Sequence, residues 1–344
     1  MDSSITKAAQ IIKNGGLVAF PTETVYGLGA NAFNASAVER VYKAKGRPGD
    51  NPLILHVGKK EDIENLAQNP PGYVTELIQT FWPGPLTIVV NKKQGLPTWL
   101  GGFPTAQTKT IGIRMPASDI ALKIINASGC CIAAPSANKA GTPSPTTAAH
   151  VKDDFNEHEI DMILDGGSVK VGLESTVLDV TEPTPIILRH GAITAEMIEA
   201  VIKLNTSKPN TLQGMPRSPG MKYRHYAPNA PMTIVSGNAH KTTNHIINEL
   251  EQEVKNGKVV GVLLMGCTNE LCSTQLPKSV KLLNLGETPE EIAQNLFAHL
   301  RRFDKLGVEI IFAQMSTEIC KTGLGIAIMD RMIKAAEGRV INVG

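Results

Sequence analysis

The sequence predicts an α/β protein in two parts: a twisted, mixed-orientation sheet flanked by helices, then a smaller Rossmann-like α/β domain. Three observations predict it. Up to residue 205, strand-like and helix-like runs mix without strict alternation, which argues against a doubly wound parallel fold. Residues 206–231 hold Pro209, Pro216, Pro219, Pro228 and Pro231 with Gly214 and Gly220, a composition that excludes a regular element and marks a linker. From residue 232 to 344 strands and helices alternate, the pattern of a parallel sheet. The expected domains are 1–205, the linker 206–231, and 232–344.

In chain order, a helix over 3–14 starts at Ser3 or Ser4, carries Ile5, Ala8, Ile11 and Ile12 at helical spacing, and stops at Gly15-Gly16. Leu17–Phe20 reads as a strand stopped by Pro21, and 22–29 has too much Gly and too little periodicity for an element interior. A helix follows at 36–45 and a buried strand at 53–57; a helix over 72–81 ends at Trp82-Pro83-Gly84-Pro85, before a strand at 86–90. Residues 91–109 read as a mobile loop. Then come strand 110–116, helix 119–127, strand 130–134, helix 146–155, strands 160–164, 175–180 and 185–189, and helix 195–204. The linker is more than a spacer, since Lys222, Tyr223, Arg224, His225 and Tyr226 stand in a row within it. After it, strands are expected at 232–235, 259–265, 281–285 and 309–314, and helices at 241–256, 289–306 and 325–336. The helix from 289 has Thr288 as cap, Pro289 first and Glu291 completing a capping box.

Composition removes several function classes. The net charge is +2 and only 4% of residues are aromatic, which speaks against a general nucleic-acid coat or a base-stacking surface. No apolar run approaches the roughly 20 residues that span a bilayer, and the N-terminus lacks the pattern of a secretory signal. Cys130, Cys131, Cys267, Cys272 and Cys320 are odd in number and show no CxxC spacing, against a disulfide framework or structural zinc. The expectation is a soluble, cytoplasmic protein with no membrane contact.

The stretch 43–57 stands out. Lys43, Lys45 and Arg47 come at every second residue, Pro48, Gly49 and Pro52 force a turn, and His56 lies near the end of the next strand. Three cations, an Asn and a His suit a polyanion; a solvated basic loop is the plain alternative. Elsewhere Thr24, Thr110, Arg114, Ser136, Asn138, Ser144, Glu174-Ser175-Thr176 and Arg189-His190 collect at strand ends, where α/β sheets bind ligands. Cations and hydroxyls with few carboxylates suit a triphosphate and a small amino or carboxylate compound, with Mg²⁺ held mainly by phosphate oxygens. Taken singly, the threonines read as β-branched strand residues, Ser136 and Asn138 as a turn, and His56 as a core histidine. Arg114 and Arg189 are harder to dismiss, because an Arg emerging from a sheet needs an anionic partner. Cys130-Cys131 reads as core. There is no Ser-His-Asp spacing, HExxH, Walker lysine motif or G-x-G-x-x-G, so covalent catalysis is not indicated.

These residues resemble the threonylcarbamoyl-AMP synthase family, the YrdC-like proteins, in its longer two-domain form. The matching pieces are Pro21–Gly29, Lys45-x-Arg47, Asn51–Val57, Trp82–Thr87, Arg114-Met115-Pro116, Ala134–Asn138, Glu174–Val177 and the linker run Ser218–Pro228. The resemblance implies a nucleotidyltransferase that turns L-threonine, bicarbonate and ATP into threonylcarbamoyl-AMP and pyrophosphate. A separate transferase complex would pass the group to tRNA. It also implies that Thr24, His56, Arg114, Ala134 and Ser175 hold threonine, Arg114 pairing with its carboxylate. ATP would meet Arg47, Asn51, Thr110, Ser136, Asn138, Ser144, Arg189 and Tyr226, with Lys45 and Arg47 as the catalytic pair. Mg²⁺ would enter with ATP, held mainly by its phosphate oxygens. The linker is expected to fold over the pocket through Tyr226 and its basic neighbours. Two other classes stay open. A carbamoyl-transfer relative would carry acylphosphatase and zinc-finger segments, which this chain lacks. A non-catalytic double-stranded RNA-binding module would leave Thr24, His56 and Ser175 unexplained, while a direct RNA contact beside the enzymatic reading is left open.

Overall fold

The computed structural model describes residues 2–102, 109–207, 225–266, 271, 276–315 and 318–344. It divides into two units, Met1–Ala140 with Ser144–Tyr223, and Gly141–Pro143 with Arg224–Gly344.

The first unit is one sheet with helices. Its elements are α1 (Asp2–Lys13), β1 (Val18–Pro21), β2 (Tyr26–Asn31), α2 (Ala35–Lys45), β3 (Ile54–His56), α3 (Asp62–Leu66), α4 (Tyr73–Phe81), β4 (Leu86–Asn91) and β5 (Thr110–Arg114). They continue with α5 (Asp119–Ser128), β6 (Ile132–Ala133), α6 (Ala148–Asp154), β7 (Met162–Ile163), β8 (Thr176–Asp179), β9 (Ile186–Arg189) and α7 (Ala195–Ile202). The strand order is β7-β1-β2-β6-β3-β5-β4-β8-β9. Parallel pairs (β1 with β7, β3 with β5, β4 with β8) are interleaved with antiparallel ones, the mixed sheet that the irregular alternation predicts. Alternation along β1 sorts the core onto two faces: Leu17 and Ala19 join the larger cluster, while Val18 and Phe20 pack with Ile5, Ala8 and Ile12 of α1.

The run 22–29 corrects the sequence reading, because β2 is a strand from Tyr26 onward. Gly29 is a packing device: a Cβ there would come within 2.5 Å of Phe20 and 2.8 Å of Ile132 on the neighbouring strands. Glycine here permits a tight sheet and hides the periodicity that would announce it. The expected strand 130–134 shrinks to the two residues of β6, and α3 was not anticipated.

The second unit holds β10 (Met232–Ser236), α8 (Ala239–Lys255), β11 (Val260–Leu264), β12 (Val280–Asn284), α9 (Pro289–Lys305), β13 (Ile310–Met315), α10 (Leu324–Ala335) and β14 (Val340–Asn342). The order β12-β11-β13-β10-β14 is parallel throughout, as the alternation predicts. Thr288 and Glu291 form the expected capping box on α9. The second unit gathers chain from earlier than residue 232. Tyr226 is 3% exposed, its ring stacked 5.1 Å from that of Phe297, and the Ala227 amide donates to Gly141 O at 3.0 Å. Residues 208–224 of the linker, with Lys222, Tyr223 and Arg224, lie outside the described residues, as do Cys267 and Cys272. No helix among the described residues is long and apolar enough to cross a membrane.

Candidate active site

The site builds outward from Arg114, the last residue of β5. β3 runs parallel beside it and sets His56 in register with Arg114. The guanidinium is buried, and its three nitrogens go three ways. Nε donates to Gly84 O at 3.1 Å, Nη1 donates to Thr24 Oγ1 at 3.0 Å, and Nη2 lies 2.6 Å from Glu23 Oε1. β2 and β5 are separated by β6 and β3, so the bond to Thr24 shows that the turn before β2 and the Arg114 side chain meet across two intervening strands. The contact with Glu23 is a charge pair without hydrogen-bond alignment. Arg114 Nη2, both Glu23 carboxylate oxygens and His56 Nδ1 are all buried and lack a hydrogen-bond partner among the described residues. Buried polar groups are nearly always paired, so four such atoms on three neighbouring side chains call for a functional explanation. Burial, and next the Arg114 charge, push the His56 imidazole down to about 3, which keeps it neutral near pH 7.

Sequence reasoning assigned Arg114 an anionic partner but not Glu23. Glu23 stands between two threonines in a Gly-rich run, where no periodicity marks a carboxylate as buried.

A second group surrounds Lys45 at the end of α2. Its buried Nζ donates to Ser136 O at 2.6 Å and Asn138 O at 2.5 Å, and Ser136 Oγ donates to Asn138 Oδ1 at 2.5 Å. Arg47 closes its own turn, Nε donating to Asn51 O at 3.1 Å and Nη2 to Asn51 Oδ1 at 2.7 Å. The acceptors named here are neutral oxygens, so these bonds leave the positive charge of both side chains in place, which suits an anionic ligand. Lys43 departs from the expected trio, because it pairs with Glu39 at 2.7 Å on the exposed face of α2.

The third group spans β4, β8 and β9. Arg189 donates from Nε to Ser175 O at 3.0 Å and from Nη2 to Ser175 Oγ at 3.1 Å, and Ser175 Oγ lies 2.8 Å from Thr87 Oγ1. Ser144 Oγ donates to Glu174 Oε1 at 2.5 Å. Thr87 thus joins the site although sequence reasoning did not single it out, and Glu174, counted among the strand-end polar residues, joins it without having been assigned a ligand. Both stand inside runs that carry the resemblance, at Trp82–Thr87 and Glu174–Val177. Backbone bonds knit the groups into one rim: Gly172 N to Thr24 O at 3.1 Å, Tyr26 N to Pro145 O at 2.9 Å and Leu28 N to Pro135 O at 2.8 Å. Ala134, whose amide donates to Ile54 O at 3.1 Å, lies on that rim beside β3. Thr110 stands apart at the far end of β5, opposite Asn91. Tyr226 belongs to the second unit, where Arg331 Cζ lies 5.5 Å from its ring centroid. A separate cleft of about 770 Å³ is lined by Lys92, Lys93 and Lys109 with Gln68, Asn69 and Gln94, and none of the site residues above borders it.

The comparisons with known proteins cover both units. A family model described as telomere recombination, the Sua5–YciO–YrdC family, matches residues 10–191. One described as threonylcarbamoyl-AMP synthase, C-terminal domain, matches residues 193–337. Proteins named threonylcarbamoyl-AMP synthase from Pyrococcus abyssi and Bacillus subtilis are each 44% identical to this chain. They cover 98% and 99% of it, and each match spans 95% of the relative. The crystal structure of P. abyssi Sua5 complexed with L-threonine has a TM-score of 0.89 at 44% identity, covering 100% of this chain and 97% of that one. Matched in order through both of its parts and along nearly the full length of these relatives, the chain belongs to the threonylcarbamoyl-AMP synthase family.

Proposed function

We propose that this protein forms threonylcarbamoyl-AMP and pyrophosphate from L-threonine, bicarbonate and ATP. The observation that carries the reading within the molecule is the buried cluster of His56, Arg114 and Glu23, where Arg114 Nη2, both Glu23 oxygens and His56 Nδ1 lack hydrogen-bond partners among the described residues. A small zwitterion supplies what that cluster needs. Thr24, His56, Arg114, Ala134 and Ser175 receive threonine, with Arg114 on its carboxylate. Arg47, Asn51, Thr110, Ser136, Asn138, Ser144, Arg189 and Tyr226 receive ATP. Lys45 and Arg47 are the catalytic pair.

The chemistry asks for positioning and charge neutralisation. The threonine amine bonds to the carbon of bicarbonate, giving a carbamate and water. A carbamate oxygen then attacks the α-phosphorus of ATP, and pyrophosphate leaves. Two anions must approach each other for that step, and Arg47, Arg189 and Lys45 supply fixed positive charge in a partly dehydrated rim. The Lys45 bonds to Ser136 O and Asn138 O also hold the turn on which Ser136 Oγ is presented. Mg²⁺ comes as part of the ATP substrate, on phosphate oxygens.

Exclusion of water from the loaded pocket would protect the labile mixed anhydride, the role expected of the linker. The product passes to a tRNA-modifying transferase complex, and a cytoplasmic setting supplies ATP and tRNA together. A direct RNA contact would find its charge at the cleft of Lys92, Lys93 and Lys109, whose lining includes no carboxylate among the described residues. Pyrophosphate release, measured with threonine and bicarbonate omitted in turn, tests the reading. Release that needs both is the expected result; release without threonine overturns it.

A further inference from the structure

We propose that Glu23 is a catalytic residue whose carboxylate receives the α-ammonium of threonine and takes one proton from it, leaving the amine free to attack bicarbonate. The inference rests on the synthase reading and carries it to one residue of the same site.

The Glu23 backbone is held on both sides. Thr22 Oγ1 donates to Val25 O at 2.6 Å and accepts from the Thr24 and Val25 amides at 3.2 and 3.3 Å, while the Val171 amide donates to Glu23 O at 2.8 Å. The side chain has no such company. It is 9% exposed, it meets Arg114 Nη2 at 2.6 Å, and neither oxygen accepts a hydrogen bond among the described residues. A buried carboxylate with a single misaligned charge contact is a poor device for stability, because desolvation offsets much of the Coulomb attraction. It is a good template for a zwitterion. Threonine brings the same two charges in mirror order, its carboxylate for Arg114 and its ammonium for Glu23, and supplies the donors that the Glu23 oxygens lack.

The other groups of the site are unsuited to this task. Lys45, Arg47 and Arg189 repel an ammonium. His56 is pushed down to about 3, too weak a base to take a proton from an amine. Glu174 already accepts from Ser144 Oγ at 2.5 Å. In the first step the N–H bond of the ammonium breaks and the proton moves to a Glu23 oxygen. The amine lone pair then forms the N–C bond to bicarbonate, the C–OH bond breaks, and hydroxide leaves as water with a second amine proton. Carbamate and protonated Glu23 remain, and Glu23 returns its proton to solvent when the product departs.

A purely structural Glu23 would only orient Arg114, so the test must separate amine recognition from carboxylate recognition. 3-Hydroxybutyrate keeps the carboxylate and hydroxyl of threonine and lacks the amine. Calorimetric titration of the full chain with both ligands should show wild type preferring threonine by about 30-fold or more, the scale of a buried charge contact. Glu23→Gln should reduce that preference to within about threefold, with ATP affinity unchanged. Equal weakening of both ligands, with the preference kept, overturns the proposal and leaves Glu23 an orienting residue. Should Glu23→Gln fail to fold by circular dichroism, Glu23→Asp decides. It should keep part of the preference for threonine, since its charge stays near the ammonium, and lose at least about tenfold in pyrophosphate release, because the shortened carboxylate no longer lies within proton-transfer distance of the amine; full turnover overturns the proposal. Wild type that binds no threonine removes the synthase reading itself and this assignment with it.

Discussion

Arg114 divides its guanidinium among a carbonyl, a hydroxyl and a carboxylate, and that division explains which parts of the site are readable from sequence. An Arg in an alternating strand announces that an anion must be near. Nothing announces which one, since Glu23 reaches it from the turn before β2 and not through any local pattern. His56 shows the same limit from the other side. Its place on a short strand is legible, whereas its neutrality comes from burial and from the Arg114 charge, both tertiary. That neutrality makes a prediction about acid. The unfolded chain binds a proton at this histidine below about 6.5, while the folded protein resists until about 3, so protonation favours unfolding and stability falls as pH drops through that window. Between pH 7.5 and pH 5 the histidine alone should cost about 2 kcal/mol. Urea unfolding of wild type and His56→Gln at both values checks it; an identical pH slope in the two proteins would show that His56 is not held neutral.

Elements were legible where one rule sufficed. α9, with its Thr288 cap, Pro289 and an apolar face, lies at 289–305 against the expected 289–306, and strict alternation in the second unit yields a parallel sheet. Elements whose residues answer to two demands were not. β2 must extend and also admit Phe20 and Ile132 to its backbone, so its glycines read as a loop. Gly191, just past β9, is a similar case beside the site. A Cβ there would come within 2.4 Å of Thr176 N, 2.7 Å of Glu174 O and 2.8 Å of Ser175 C, all backbone atoms that cannot step aside singly. Gly191→Ala should therefore push the start of β8 and move Glu174 and Ser175 together. The expected cost is about 1–3 kcal/mol in stability, as for other overpacked sites. Pyrophosphate release should fall more steeply than stability, because Ser144 and Arg189 both bond to this segment. Denaturant midpoints and turnover measured on the same preparation separate the two; turnover that falls no further than the folded fraction would refute the link.

At the scale of the whole molecule, the chain passes between its two units three times, at 140/141, 143/144 and 223/224. The middle visit is only Gly141–Pro143, a segment that sequence composition placed within the first domain. It is fixed within the second unit by Arg301 on α9, a buried guanidinium that donates to Pro143 O from Nε at 3.1 Å and from Nη2 at 2.6 Å. An Arg near the C-terminal end of an amphipathic helix reads from sequence as a solvated charge, and only the tertiary structure reveals its carbonyl partner. Ser144, assigned to ATP, follows Pro143 directly, so the freedom of one peptide unit limits the other. Arg301→Ala removes two bonds from a charged donor, a loss of about 2 kcal/mol or more. If that anchorage steadies Ser144, the variant should need more ATP for half-maximal pyrophosphate release while its demand for threonine stays as in wild type. Ser144→Ala should give the same pattern, and the double variant should add little to either. Steady-state titration of each substrate against a saturating partner reads this directly. Equal losses toward threonine and ATP would mean that Arg301 serves only the stability of the second unit, and additive losses in the double variant would mean that it acts on ATP by a route other than Ser144.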